Sequence, residues 1–142
     1  MSGNADAVRQ LHRGEAGTLR RDVLYDLLAD DVTWSAIGPP DLFPWAGSVY
    51  GHDGVREWFA LLNEKMAYDA FELRELYEDG DTVIEIVSAS GTAEATARPF
   101  ASEIVRVWTF RDGKAVVVRS YYDTYAYAAA LAPKGDTAGG ND

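Results

Sequence analysis

Cysteine is absent from the 142 residues, which removes disulfides, thiolate nucleophiles and Cys-ligated zinc together. Histidine occurs only twice. His12 and His52 each lack a second histidine at ligand spacing, so no dedicated metal site and no cofactor is expected. Basic side chains are also scarce: 13 Lys and Arg against 23 Asp and Glu leave a formal charge of −10. No basic block or stripe appears, so binding to nucleic acid or an anionic membrane by counterion release is not expected. No apolar run approaches the ~18 residues that would span a bilayer, and no basic stretch precedes an apolar one at the N-terminus. The expectation is a soluble, cytoplasmic chain. A Gly-x-Ser-x-Gly elbow, a Gly-x-Gly-x-x-Gly turn and a phosphate loop are missing as well.

Aromatic residues, by contrast, are plentiful. Four Trp, eight Tyr and five Phe are enough to line a pocket as well as fill a core. The length suits one domain over 1–142, with a core at about 5–131 and a flexible tail at 133–142.

The most informative stretch runs from Arg98 to Tyr127. Two β-rich runs, Ser102 to Phe110 and Ala115 to Tyr122, flank Arg111-Asp112-Gly113-Lys114, and Asp-Gly between such runs predicts a hairpin. Alternation places Val116, Val118, Ser120 and Tyr122 on one face and Val117, Arg119 and Tyr121 on the other. An unpaired arginine is costly to bury, so the Val118–Ser120 face is taken as inward. The hairpin ends at Asp123, among Tyr121, Tyr122, Tyr125 and Tyr127.

Upstream, Ala5 to about Arg13 predicts a short helix carrying Val8, Leu11 and His12 on one side. Thr18 can cap a second helix through Ala29, and Val32 to Ile37 reads as a strand. Residues 38–54 hold Pro39, Pro40, Pro44, Gly47, Gly51 and Gly54 and predict a long irregular lid or rim, with Phe43 and Trp45 packed on the fold. Asp53 can cap a third helix from Gly54 to about Ala67, whose stripe is Val55, Trp58, Phe59, Leu62 and Met66. Strands follow at Phe71 to Tyr77 and Thr82 to about Ala95, and Ala126 to Leu131 can add a last helical turn. The order implies an α+β fold: a curved, antiparallel or mixed sheet with three helices from the N-terminal half on its concave face, leaving a conical cavity.

This chain resembles the nuclear transport factor 2-like superfamily, and within it the SnoaL-like, ketosteroid-isomerase-related branch. The resemblance rests on Leu27-Leu28-Ala29-Asp30-Asp31-Val32-Thr33-Trp34, Pro44-Trp45-Ala46-Gly47, Tyr50-Gly51-His52-Asp53-Gly54-Val55, Phe110-Arg111-Asp112-Gly113-Lys114 and Tyr121-Tyr122-Asp123-Thr124. It implies a cavity lined from the third helix, the first strand and the inward hairpin face, with Trp58, Trp108 and Tyr122 at aromatic pocket positions. Arg106 falls where steroid isomerases hold a protonated acid, and Ala36 where they place the base. Neither can repeat those roles, which counts against steroid isomerase chemistry.

SnoaL-like cyclases use an aspartate as acid/base, and Asp123 is the matching residue. It is either that group or a structural cap, since strict alternation puts it on the outer face and only a bulge would turn it inward. The expected catalytic set is Asp123, Arg106 and Tyr122. The expected ligand contacts are Trp34, Trp45, Trp58, Phe59, Leu62, Trp108, Val118, Ser120 and His12. The resemblance implies a hydrophobic, oxygenated small molecule as partner, polyketide-like or a cyclic ketone, and acid/base chemistry without a cofactor. Two alternatives stay open: epoxide-hydrolase-type water activation, which needs two acids and an arginine converging, and a non-catalytic binding or dimerisation module. A homodimer through the outer sheet face, with Val117, Tyr121 and the Glu103 strand, is expected in either case.

Overall fold

The computed structural model describes residues 3–14 and 19–133. The first helix, α1, spans Gly3–Gln10, so it starts earlier than its apolar side suggested. His12 lies beyond it, in a turn whose N–H groups bond back to Arg9 and Val8 carbonyls. The second helix, α2, covers Arg21–Leu27, and the expected cap Thr18 lies outside the described residues, as does 134–142 of the expected tail. The chain passes straight into β1, Leu28–Ala36, four residues before the predicted start. Asp30 and Asp31 are tolerated there because both side chains face solvent.

The irregular segment contains a short strand, β2, Gly47–Tyr50, which pairs antiparallel with β1. Four residues are too few to show a period of two, so this element left no pattern to read. Helix α3 then spans Gly51–Lys65; Tyr50 occupies its N-cap position with no side-chain capping bond, and Asp53, the expected cap, sits in the first turn. Its buried residues are Val55, Trp58, Phe59 and Leu62, each worth roughly 1.5–3 kcal/mol of apolar burial. Met66 continues the helical stripe yet begins strand β3, Met66–Asp79. Pairing of Ala67 and Tyr68 with Thr92 and Gly91 pulls it out of the helix.

The remaining strands are β4, Thr82–Ala93, β5, Pro99–Arg111, and β6, Lys114–Tyr122. The β5–β6 hairpin is as predicted. Arg111 pairs with Lys114 across a loop in which Asp112 and Gly113 both have positive φ, 54° and 80°, the pattern that favours Asp-Gly. A register shift between Thr109 and Phe110 buries Ala115, so the inward set on β6 is Ala115, Val118 and Ser120, with Val116 only half-buried. A final helix, α4, Thr124–Leu131, follows directly.

All six strands form one sheet in the order β2-β1-β6-β5-β4-β3. Only β1 and β6 run parallel. The class is therefore α+β with a curved mixed sheet, and the described residues form four helices. Among the described residues no helix is long and apolar enough to cross a membrane.

Candidate functional site

A cavity of about 460 Å³ opens between the sheet and the helices. Helix α3 supplies Trp58, Phe59, Leu62 and Asn63, neighbours on two adjacent rows of a helix at spacings of one, three and four. The start of β3 adds Met66, Ala67, Tyr68 and Phe71. The hairpin contributes Ile104, Arg106, Ser120 and Tyr122, Trp45 enters from the loop, and Tyr127 from α4. Leu19, Arg21 and Glu94 complete the lining. Of all these, Arg21, Asn63 and Glu94 are exposed and so mark the mouth.

Behind this wall lies a buried charge cluster. Glu85 is 0 % exposed and stands opposite Arg106 in the β4–β5 register. Its Oε1 accepts from Arg106 Nε at 2.6 Å and from Trp108 Nε1 at 3.0 Å, while Oε2 accepts from Arg106 Nη2 at 3.1 Å. His12 Nε2 also bonds Oε2, and the His12 ring stacks on Phe71 at 5.9 Å. Burial alone would raise the Glu85 carboxyl, but the Arg106 guanidinium and the hydrogen bonds from His12 and Arg106 outweigh it and hold the group well below the ordinary carboxylate range. Three side chains, His12 from the N-terminal turn and Arg106 and Trp108 from β5, are thus fixed on one carboxylate. Arg106 Nη1 takes part in neither of these bonds.

The cavity also holds a set of tyrosines. The Tyr68 and Tyr127 hydroxyls are 2.6 Å apart, and burial pushes both phenols upward from their ordinary value. Both stay neutral at physiological pH and remain hydrogen-bond donors. Tyr122 differs: its hydroxyl donates to the Ile37 carbonyl at 2.5 Å and accepts from Trp45 Nε1 at 2.9 Å. Burial raises its phenol to about 12, against the opposing Trp45 N–H. Its proton is committed to holding the 38–46 loop against the sheet.

The structure thus brings Arg106, Tyr122, Trp45, Trp58, Phe59, Leu62 and Ser120 to the cavity wall. Four other expected ligand contacts do not line it. Trp34, Trp108 and Val118 are 0 % exposed core. Trp34 packs against Trp58 at 5.4 Å and Trp108 at 6.2 Å between ring centres, because the aromatic face of α3 covers β1 and seals that layer from the cavity. His12 is occupied by Glu85.

Of its two readings, acid/base group or structural cap, Asp123 takes the cap. Its side chain is exposed, and Oδ1 accepts the Ala126 N–H at 3.0 Å as the N-cap of α4. A cap of this kind is worth about 1 kcal/mol. No bulge turns it inward, because the strand ends at Tyr122 and the helix starts at Thr124.

The catalytic set did not include Tyr68, Tyr127 or Glu85, the last read from the sequence only as a possible partner acid of Asp123. For Glu85 the signal was present: Val83, Glu85 and Val87 share a strand face, so an inward strand carries a carboxylate that must find a partner. Tyr68 and Tyr127 gave no local signal, since their hydroxyls meet only through the tertiary fold. Among the described residues Glu85 is joined by no second acid at Arg106, so these residues do not assemble the two-acid arrangement required for epoxide hydrolysis. Among the described residues no group of three or more His, Asp or Glu side chains could hold a metal ion.

Residues 7–118 match a family model described as a SnoaL-like domain. An NTF2-like protein from Burkholderia thailandensis is 28% identical over 94% of this chain and 100% of its own, with a TM-score of 0.78. One of unknown function from Burkholderia pseudomallei is 25% identical over the same shares, with a TM-score of 0.80. A protein from Jannaschia described as a SnoaL-like polyketide cyclase is 18% identical over 92% and 93%, with a TM-score of 0.76, which shows a shared fold. Among curated proteins none matches the sequence.

Proposed function

Since the chain belongs to the SnoaL-like domain family, we propose that its cavity takes a hydrophobic, oxygenated small molecule, polyketide-like or a cyclic ketone, and acts on it by acid/base chemistry without a cofactor. The observation that carries this reading is the Tyr68–Tyr127 hydroxyl pair inside an aromatic cavity. In such a pair one O–H is spent on the other oxygen, leaving one proton to donate to a ligand carbonyl. A neutral donor in a low-dielectric pocket stabilises the negative charge that forms on that oxygen during enolisation. Arg106, oriented and charge-paired by Glu85, adds a fixed N–H donor, since Nη1 lies outside the ion pair. With Asp123 in a cap, the hydroxyl pair takes only the donor half of that residue's role, hydrogen-bonding the enolate oxygen, and the proton lost from the α-carbon passes to water at the mouth of the cavity.

The test uses 2-acetylnaphthalene, an aromatic ketone. Bound to the protein, its carbonyl stretch should move to lower wavenumber. The double variant Tyr68→Phe/Tyr127→Phe removes the donor whichever hydroxyl presents it. It should lose that shift and bind about three- to tenfold more weakly, the worth of one neutral hydrogen bond. A ketone that binds both proteins with the same carbonyl frequency would refute the assignment.

The same reading pairs two copies through the outer sheet face. There Ile86, Val105 and Tyr121 form one cross-strand row and Ile84, Val107 and Arg119 the next. Ile84 and Tyr121 are 36% and 37% exposed, and Glu103 on that face can meet a partner's Arg119 at the rim. Sedimentation equilibrium at micromolar concentration should return twice the chain mass of 15.6 kDa; a monomer mass would contradict the pairing.

A further inference from the structure

Arg21 stands at the mouth of the cavity in a setting that the proposed ketone chemistry does not explain. Arg9, Arg20, Arg56, Arg74, Arg106 and Arg111 each lie within 4.0 Å of a carboxylate. Among the described residues Arg13, Arg21, Arg98 and Arg119 have no such partner, and of these four only Arg21 lies on the cavity lining. Its guanidinium instead lies 3.9 Å above the ring centre of Phe59, a wall residue only 6% exposed. The stack holds the charge flat against the aromatic lining at the point where a ligand would enter. Deeper in the cavity the only other cation of the lining, Arg106, is already neutralised by Glu85. The cavity therefore has two unlike ends: neutral hydroxyls within, and an unpaired, pre-positioned guanidinium at the mouth.

We propose that the ligand is an amphipathic anion, an apolar ring body seated in the cavity and an acidic group, carboxylate or acidic enol, held at the mouth by Arg21. This rests on the reading of the cavity as a site for an oxygenated hydrophobic molecule, and adds which end of that molecule faces out. Two other groups face this position. Tyr25, neutral at physiological pH, lies beside Arg21 on the same helix and puts no charge against an anion. Glu94 lies on the lining and is exposed. Its charge opposes an incoming anion, so it sets a limit on affinity and confines the acidic group to the Arg21 side. A guanidinium stacked on an aromatic is well made for this role, because the ring occupies its face and leaves its N–H edge free for a carboxylate.

Two ligands that differ only in the acidic group separate the possibilities: 2-acetylnaphthalene and 6-acetyl-2-naphthoate, titrated calorimetrically at pH 7 into the full chain. The acid should bind about tenfold more tightly than the ketone, the scale of one charge-assisted contact. Arg21→Gln should abolish that advantage, bringing the ratio of acid to ketone affinity down to about one, and Arg21→Lys should retain part of it. Glu94→Gln should enlarge it, and added salt should shrink it. If the ketone binds but the acid binds no tighter, or if Arg21→Gln weakens both ligands alike, the inference fails and Arg21 is only a cover for the apolar rim. If the ketone itself does not bind, the cavity reading fails and this inference with it.

Discussion

Replacing Glu85 with Gln should lower the unfolding free energy by about 3–5 kcal/mol, the cost of removing one partner from a buried ion pair. Gln keeps the shape but not the charge. Arg106, 4% exposed, would be left desolvated without its counter-charge, and Trp108 Nε1 and His12 would share a weaker acceptor. A domain of this kind has about 5–15 kcal/mol in hand, so urea denaturation should show a large fall in midpoint. The double variant Glu85→Leu/Arg106→Met should recover most of the loss, because an apolar pair carries no desolvation penalty. Recovery should be incomplete, since Trp108 and His12 still lose an acceptor. A Glu85→Gln midpoint equal to that of the wild type would show that the carboxylate does not hold this cluster together.

The same cluster fixes a pH dependence. The folded Glu85 carboxyl is held below its ordinary value, so it binds its proton less readily than in the unfolded chain. Its contribution to stability is therefore complete above the unfolded value of about 4.3 and is lost as the pH falls through the lower folded value. Wild-type stability should decline across that acid window. Glu85→Gln has no such group, so its curve should be flatter there, and the two proteins should converge toward low pH.

Why Glu85 was harder to place than Arg106 is instructive. Each sits on an apolar strand face and each signals an inward charge by alternation alone. That they meet depends on the β4–β5 register, in which Glu85 faces Arg106, and register follows from where the strands turn, well away from either residue. The hairpin was legible because Asp112-Gly113 names its own turn, and α3 because fifteen residues display one continuous stripe. The short strand β2 showed no period, and the start of β3 was hidden because Met66 satisfies a helix and a strand equally. Asp123 kept two readings for a related reason. Extending the β6 alternation past Tyr122 gives it a face, but the chain has already left the strand, and a side chain before a helix is governed by the unpaired N–H groups of the first turn. The family resemblance suffered the same limit: it located the cavity, while the atoms facing into it come from contacts between elements far apart in sequence.

The close crossing of β3 over β4 leads to the other large effect. A Cβ built on Gly91 would fall 2.0 Å from the Ala67 carbonyl oxygen and 2.8 Å from Tyr68 Cα. Both obstacles are backbone, so no side-chain rotation relieves them. Gly91 pairs with Tyr68 at the point where the β3 register shifts before Ala70, and this bulge carries Ala67 and Tyr68 onto the cavity wall. Gly91→Ala must therefore push the strands apart, at a cost of about 3 kcal/mol by the usual penalty for overpacking. The displacement acts directly on Tyr68, so the variant should also lose the carbonyl shift of bound 2-acetylnaphthalene through separation of the Tyr68 and Tyr127 hydroxyls. Gly80→Ala is the matched comparison. Gly80 has φ +60° with nothing within 4 Å of a new Cβ, so the cost there is only the backbone preference, about 1 kcal/mol, and ligand binding should not change. If Gly91→Ala proves no more destabilising than Gly80→Ala and keeps the carbonyl shift, the close approach of β3 is not what sets the cavity wall. If it loses both stability and the shift, a single missing methyl group in β4 is what allows two hydroxyls 59 residues apart in the chain to meet.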